Sequence, residues 1–179
     1  MSRSRLFRST RLTGPPTAVR RRRRAAAIGV LLLLAASACG ESDLERRHEE
    51  VAEAGRAVMP FDLDATTHFF EKLPDGGLQT VVADGPDPEQ VRLIRAHLSE
   101  EAERFARGDF HDPAMIHGEN MAGLHALAMG HEKLNITYRE VERGAEISYG
   151  SDDPELVEAI HQWFDAQLTD HGEHAKPGR

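Results

Sequence analysis

The sequence predicts an α+β fold, a single small domain made of two ββα units. Turn residues divide short β-branched and aromatic segments into two hairpins. Each hairpin precedes a long amphipathic helix that begins with the same Asp-Pro-Glu signal, an N-cap followed by proline at the first helical position. We therefore expect two ββα units over residues 64–172, joined by a helical segment and preceded by a helical tether.

The first 38 residues have the composition of an export signal. They hold nine arginines and no acidic residue, and the arginine run 20–24 precedes a 14-residue apolar block at 25–38. This block is shorter than the roughly 20 residues that a membrane-spanning helix needs. We therefore predict a signal peptide over residues 1–38, which is removed from the mature protein.

The single cysteine, Cys39, directly follows this block. The segment Ala36-Ser37-Ala38-Cys39 fits a lipoprotein cleavage site, after which the thiol of Cys39 carries lipid. Ala36-Ser37-Ala38 alone also fits an ordinary signal-peptidase site, which would release a soluble protein with a free thiol. We favour a lipoprotein of the cell envelope, anchored to the membrane and facing the periplasm or the exterior.

The remaining residues, 39–179, are strongly acidic. They contain 13 basic and 30 acidic residues, a net charge of −17. Such a surface repels nucleic acid and attracts cations. We therefore predict no nucleic-acid partner and a membrane contact made through the lipid, while any protein partner stays open.

The predicted elements follow from turn and capping signals. Residues 39–63 should carry the lipid and a polar, solvated helical tether with a thin apolar stripe of Leu44, Val51 and Val58. Residues 173–179 should form a disordered tail. Within the domain we predict strands at 66–73, 78–83, 133–141 and 145–149, and long helices from 88 to about 107 and from 154 to about 171.

The two long helices align at an offset of about 66 residues. Either an internal duplication or a chance likeness of two amphipathic helices with Asp-Pro starts explains this match. The alignment places Val91 on Val157, Ile94 on Ile160 and Leu98 on Phe164.

The segment 109–130 between the units carries a run of potential metal ligands. His117, Met121, His125 and Met129 are spaced by four residues, so that a continuous helix would place them along one face. Imidazole with thioether is a ligand set for copper. The competing interpretation is a buried apolar stripe, because Gly118 and Gly123 weaken the helix.

The two long helices also share a histidine followed by a carboxylate at i+4. His97 precedes Glu101 and His161 precedes Asp165. A carboxylate one turn away can orient an imidazole for a metal or for proton transfer, whereas an ordinary surface pair is the simpler interpretation. His68, in the first strand, could point toward the same centre.

Several segments resemble a group of uncharacterised bacterial envelope proteins. The resemblance covers roughly residues 65–172 and rests on Thr-His-Phe-Phe at 67–70, Asp-Gly-Gly at 75–77, His-Leu at 97–98, Gly-Asp-Phe at 108–110, Ile-His-Gly at 116–118 and His-Gln-Trp-Phe-Asp-Ala-Gln at 161–167. Some members carry the name aspartate carbamoyltransferase. That enzyme has a Ser-Thr-Arg-Thr loop and a His-Pro-x-Gln segment; here Ser-Thr-Arg lies in the leader and the second segment is absent. The sequence therefore argues against this activity.

Together these observations predict a membrane-anchored lipoprotein that binds copper or zinc through histidines. The predicted metal ligands are His68, His97, His117 and His161, joined by Met121 if the metal is copper, with Glu101 and Asp165 as orienting carboxylates. The alternatives are an envelope enzyme that uses a histidine–carboxylate pair for acid–base catalysis, and a non-catalytic lipoprotein that binds a protein partner. No established catalytic motif selects a reaction.

Overall fold

The computed structural model of the protein describes residues 42–178, and the predicted signal peptide and Cys39 lie outside this range. The described residues form five α-helices and a five-stranded mixed sheet, which confirms the predicted α+β domain. The elements in chain order are helix α1 (42–58), strands β1 (Thr66–Leu73) and β2 (Gly76–Ala83), helices α2 (Pro88–Ala106), α3 (His111–His117) and α4 (Leu124–Gly130), strands β3 (Asn135–Val141) and β4 (Gly144–Gly150), helix α5 (Pro154–His171) and strand β5 (Ala175–Pro177).

The two hairpins meet side by side in the middle of the sheet. The strand order is β3-β4-β2-β1-β5, so the second strands of the two hairpins, β2 and β4, pair antiparallel at the centre. Thr80 of β2 lies opposite Glu146 of β4, and these two residues are 66 positions apart. The hairpins are thus arranged almost symmetrically about the β2–β4 pair.

Both long helices cover the same face of the sheet, and each lies over the hairpin of the other unit. α2 packs on β3 and β4, whereas α5 packs on β1, β2 and β5. The side chains of Asp87 and Asp153 accept hydrogen bonds from backbone N–H groups of the first turn, which confirms the predicted helix starts. The core between helices and sheet centres on Trp163, whose indole packs against Phe105, Phe110, Tyr149 and Phe164.

The ends of the domain differ from the sequence prediction. Residues 42–58 are helical, but α1 packs on the domain rather than standing in solvent: Val51 is fully buried and Arg47 forms an ion pair with Asp170 of α5. Residues 173–178 are ordered, because β5 pairs parallel to β1 with Ala175 opposite His68. The domain therefore extends over both predicted flanking segments.

The predicted continuous helix face in the middle segment does not form. α3 ends at His117 and α4 begins at Leu124, since Gly118 and Gly123 adopt left-handed backbone angles of 92° and 78° in φ. His117 and Met121 are buried, whereas His125 and Met129 are exposed. The four residues therefore do not share one face, and this break turns His117 toward the domain interior.

Candidate functional site

A polar cavity lies inside the otherwise apolar core, between α2, α3, α5 and β1, with the end of α1 at its edge. The volume of this cavity is about 30 Å³, which is room for one or two water molecules or a metal ion. We call it the histidine chamber. Its polar lining consists of His68, Gln79, His97, Glu101, Asp112, His117, Gln167 and His171.

The two long helices contribute equivalent positions to this chamber. Glu101 of α2 and Gln167 of α5 are 66 residues apart, and both are buried polar side chains of the lining. His97 corresponds in the same way to Trp163, and Phe105 to His171. At these equivalent positions, α2 supplies His97 where α5 has Trp163, and α5 supplies His171 where α2 has Phe105.

Three imidazole rings lie next to one another in the chamber. The ring of His171 is nearly parallel to that of His68, with centroids 5.5 Å apart, and nearly perpendicular to that of His117, at 4.9 Å. His68 comes from β1, His117 from the end of α3 and His171 from the last turn of α5. Three distant parts of the chain therefore place their imidazole rings side by side.

An aspartate fixes the ring of His117. Nδ1 of His117 lies 2.8 Å from Oδ2 of Asp170, and Asp170 also accepts hydrogen bonds from Arg47 of α1. Arg47 further donates to the backbone carbonyl of His117 at 3.0 Å. Because the carboxylate can only accept, Nδ1 of His117 carries the proton, and the His117 side chain also hydrogen-bonds to Gln167.

The chamber histidines are neutral at pH 7. Burial lowers the pKa of His68 to about 4, and burial with the neighbouring His68 and His117 holds the pKa of His171 well below its ordinary value. Burial also lowers the pKa of His117 against the opposing effect of Asp170, and the pKa of His97 against that of Asp112. Neutral imidazole is the form that binds metal ions.

Two buried groups of the chamber lack hydrogen-bond partners among the described residues. They are Nδ1 of His68 and Nε1 of Trp163. A buried polar atom without a partner costs about 1–3 kcal/mol, so native proteins seldom retain one without a reason. The unpaired atom of His68 therefore marks a position where a ligand could be bound.

A carboxyl pair lies at the α2–α3 side of the chamber. Burial and the neighbouring charge of Asp112 raise the pKa of Glu101 to about 8. Arg104 contacts both carboxyls, but its contact with Asp112, at 2.7 Å, is shorter than the 3.3 Å contact with Glu101. Arg104 also forms an ion pair with Asp109, so its charge is shared among three carboxyl groups. Glu101, with its pKa of about 8, is therefore protonated at neutral pH and acts as a hydrogen-bond donor.

The other predicted site residues lie elsewhere. Nε2 of His161 is 2.9 Å from the carbonyl oxygens of both Leu73 and Gly76, where it holds the β1–β2 turn outside the chamber. Asp165 forms a surface ion pair with Lys72. Met121 packs in the hydrophobic core. Of the predicted site residues, four therefore line one cavity: His68, His97, His117 and Glu101. The other three, His161, Asp165 and Met121, lie outside it.

Five residues of this site were not predicted from the sequence: Gln79, Asp112, Gln167, Asp170 and His171. His171 stands before Gly172, so a helix-capping role explained it equally well. Asp170 is the neighbour of His171 and lies 53 positions from His117, which leaves no local spacing that could reveal their contact. The remaining signal was the number of histidines, since all ten in the chain lie after Cys39.

In the described part of the chain, no group of three or more histidine, cysteine or acidic residues is already arranged to hold a metal ion. Within the same range, no helix is both long and apolar enough to cross a membrane. No protein-family model matches the sequence, and neither a curated protein nor a solved structure matches it significantly. Function therefore has to be inferred from the chemistry of the chamber.

Proposed function

We propose that this protein is a membrane-anchored lipoprotein of the cell envelope whose domain binds a transition metal ion, copper or zinc, in the histidine chamber. The ligands are His68, His117 and His171. His97 and Glu101 line the same chamber and complete its polar wall. The acidic surface of the exported residues favours the approach of a cation.

The observation that carries the proposal is the proximity of three buried, neutral imidazoles, one of which has an unpaired nitrogen. Two imidazoles on a tetrahedral zinc ion, with Zn–N bonds of about 2.0–2.1 Å, have ring centres roughly 5 Å apart. The centroid distances of 5.5 and 4.9 Å are close to this separation. Rotation of the rings of His68 and His171 about their side-chain torsions would direct their nitrogens at one ion.

The orientation of His117 supports the same proposal. Metal-binding histidines usually donate their second ring N–H to a carboxylate or carbonyl, and loss of that partner typically weakens metal binding 10- to 100-fold. Asp170 occupies this position for His117. Arg47 in turn fixes Asp170, so that α1 contributes to the metal site without touching the ion.

A metal-binding assay tests the proposal. The full-length chain, purified in detergent without tag histidines, is expected to retain near-stoichiometric metal and to unfold at a higher temperature with copper or zinc than with chelator. The double variant His117→Ala/His171→Ala should lose both effects. His125→Ala is the matched control, because His125 is exposed and outside the chamber. Absence of metal and of any thermal shift in the parent chain would refute metal binding.

The membrane anchor is tested separately. Cys39→Ala should abolish incorporation of radiolabelled fatty acid and release the protein from the membrane fraction, since the anchoring lipid attaches to this thiol. The metal affinity of the variant should equal that of the parent chain. Labelling that persists in Cys39→Ala would contradict the lipoprotein assignment and leave the metal site unaffected.

A second candidate function is an envelope enzyme that uses His117 and Asp170 as an acid–base pair. The 2.8 Å contact between them favours this candidate over the pairs expected from sequence, His97–Glu101 and His161–Asp165. The chamber holds little more than one or two water molecules, however, so a larger substrate would require it to open. Metal binding needs no such opening and therefore remains our first proposal.

A further inference from the structure

A second, larger cavity adjoins the histidine chamber from the outside. We infer that the metal ion reaches the chamber through this outer cavity, where a row of glutamates attracts the ion and the ring of His171 forms the inner wall. This inference rests on the proposed metal-binding function and adds the route of the ion to it. It is supported by the shared wall, by the unpaired acidic side chains and by an imidazole beside that wall.

The outer cavity is a groove between α1 and the segment that follows α5. Its volume is about 760 Å³, and it opens to solvent, because most of its polar lining residues are exposed. We call it the outer groove. Its polar lining includes four glutamates and three histidines.

His171 is the wall between the outer groove and the chamber. Among the described residues, it is the one that lines both. On the inner side its ring contacts the rings of His68 and His117, with centroids at 5.5 and 4.9 Å. The residue is only 7% exposed, and within residues 42–178 no hydrogen bond fixes its ring. One imidazole therefore separates the two cavities, and rotation of this ring about its side-chain torsions would connect them.

The glutamates of the outer groove form a row without counter-ions. Glu45, Glu49 and Glu53 are spaced by four residues on α1, so they lie along one face of the helix, and Glu173 adds a fourth carboxyl group from the segment after α5. Within the described residues, none of the four forms an ion pair or a side-chain hydrogen bond.

This row is unfavourable for the helix itself, since like charges at i and i+4 destabilise it slightly. The one arginine of the groove lining, Arg56, lies 3.7 Å from Asp64 and is paired there. The outer groove therefore carries negative charge that the described residues leave uncompensated, which attracts a cation.

His48 places a further imidazole next to His171. Its ring packs against the backbone of Gly172, where an added Cβ would lie 2.9 Å from the ring. Nε2 of His48 lies 2.9 Å from the carbonyl oxygen of Thr169. Because a carbonyl can only accept, Nε2 donates, and Nδ1 is the acceptor nitrogen of the neutral ring. An ion in the outer groove thus meets a ligand of the same type as those inside the chamber.

A route of this kind acts on rates. A cleft lined by charges of one sign raises the local concentration of counter-ions and speeds their association, and salt weakens this effect. An obstruction on the route that does not touch the final site slows entry and exit by the same factor, so the dissociation constant does not change. The outer groove should therefore determine the loading kinetics of the chamber.

Obstruction of the groove is the first test, made on the full-length chain in uncharged detergent. Stopped-flow mixing with Zn(II) is followed with a zinc indicator, and mixing with Cu(II) by quenching of Trp163, the single tryptophan, which lines the chamber. Ala52 lines the groove on α1, and Ala52→Phe should slow association and dissociation roughly tenfold at an unchanged dissociation constant, because entry then requires displacement of the new ring. Ala57→Phe is the matched control, since Ala57 is exposed on α1 outside the groove, and it should alter neither rate.

Removal of charge is the second test, and it leaves the groove open. Glu49→Gln/Glu53→Gln should slow association roughly tenfold at low ionic strength, and the difference from the parent chain should shrink in high salt. The matched control is Glu103→Gln/Glu132→Gln, which removes the same charge from exposed side chains outside the groove and should leave the loading rate unchanged.

The outcomes distinguish this route from the metal-binding function. Parent-like loading rates in both Ala52→Phe and Glu49→Gln/Glu53→Gln, with metal still bound, would overturn the route alone. Failure of Zn(II) and Cu(II) to bind the parent chain would overturn both proposals. Should Ala52→Phe not fold, the charge variant decides: a loading rate equal to that of its control refutes the route, and a slower rate with weaker salt dependence supports it.

Discussion

Acidification from pH 6.5 to pH 4 is expected to lower the free energy of unfolding of the domain by several kcal/mol. The pKa of His68 is about 4 in the folded chain against an ordinary value of 6.5, so the unfolded chain binds more protons in this range. Stability is therefore fully present above pH 6.5 and is lost as the pH falls toward 4. His68 alone contributes about 3 kcal/mol to this loss at pH 4.

The other chamber histidines add to the loss in the same direction, since the pKa values of His97, His117 and His171 are also below the ordinary value. Glu101 acts in the opposite sense. Its pKa is raised from 4.5 to about 8, so its contribution to stability is present at low pH and disappears as the pH rises through 8. Below pH 6.5, the combined effect of the four histidines on the free energy of unfolding is larger than the opposing effect of Glu101. Between pH 6.5 and 8, the change in the free energy of unfolding comes from Glu101.

The free energy of unfolding should therefore be greatest near pH 6.5 and decline on both sides. Urea unfolding at fixed pH values between 4 and 8.5, followed by tryptophan fluorescence, measures this profile. Glu101→Gln should remove the alkaline decline and retain the acid decline. Glu103→Gln is the matched control, because Glu103 is exposed on the same helix. A profile that is flat between pH 4.5 and 6.5 would show that the histidines are accessible to protons in the folded chain.

The elements that could be predicted from sequence are those whose signals are local. Proline after a capping aspartate fixed the starts of α2 and α5, and the turn at 74–75 fixed the first hairpin. The packing of α1 could not be predicted, because its seven-residue stripe is equally suited to a surface helix. β5 contains only three residues, one of them proline, and forms only because β1 offers an edge for parallel pairing.

The candidate site shows the same division between local and distant information. His68 was predicted from its place in the first strand, His97 from its carboxylate at i+4, and His117 from its four-residue spacing with Met121. The partnership of His117 with Asp170 depends on α3 lying against the last turn of α5. The position of His161 could not be predicted from its carboxylate at i+4. Its partners are carbonyl groups of the distant β1–β2 turn.

Replacing His68 with leucine is expected to stabilise the domain in the absence of metal. Leucine is similar in volume and has no polar atom, so it removes the unpaired Nδ1, whose burial costs about 1–3 kcal/mol. It also removes the protonation of His68 in the unfolded chain, which lowers the free energy of unfolding in acid. The gain in the free energy of unfolding should therefore be larger at pH 4 than at pH 7 by about 3 kcal/mol. The total gain at pH 4 is then roughly 5 kcal/mol.

Thermal and urea unfolding of His68→Leu in chelator, at pH 7 and at pH 4, measure these gains. His161→Leu provides the contrast, because His161 hydrogen-bonds to two carbonyl groups and its loss should destabilise the domain. A net destabilisation by His68→Leu at both pH values would mean that His68 has a structural partner in solution.

Combined with metal titration, the same variant separates structural from functional roles for His68. A histidine that only fills the core can be exchanged for an apolar side chain without loss of any binding. If His68→Leu is more stable without metal and no longer gains stability from copper or zinc, the chain retains an unfavourable buried imidazole in favour of a ligand. Stability given up at a site of this kind is typical of functional residues. The stability of the metal-free variant and its response to metal thus have to be read together, since neither alone assigns the role.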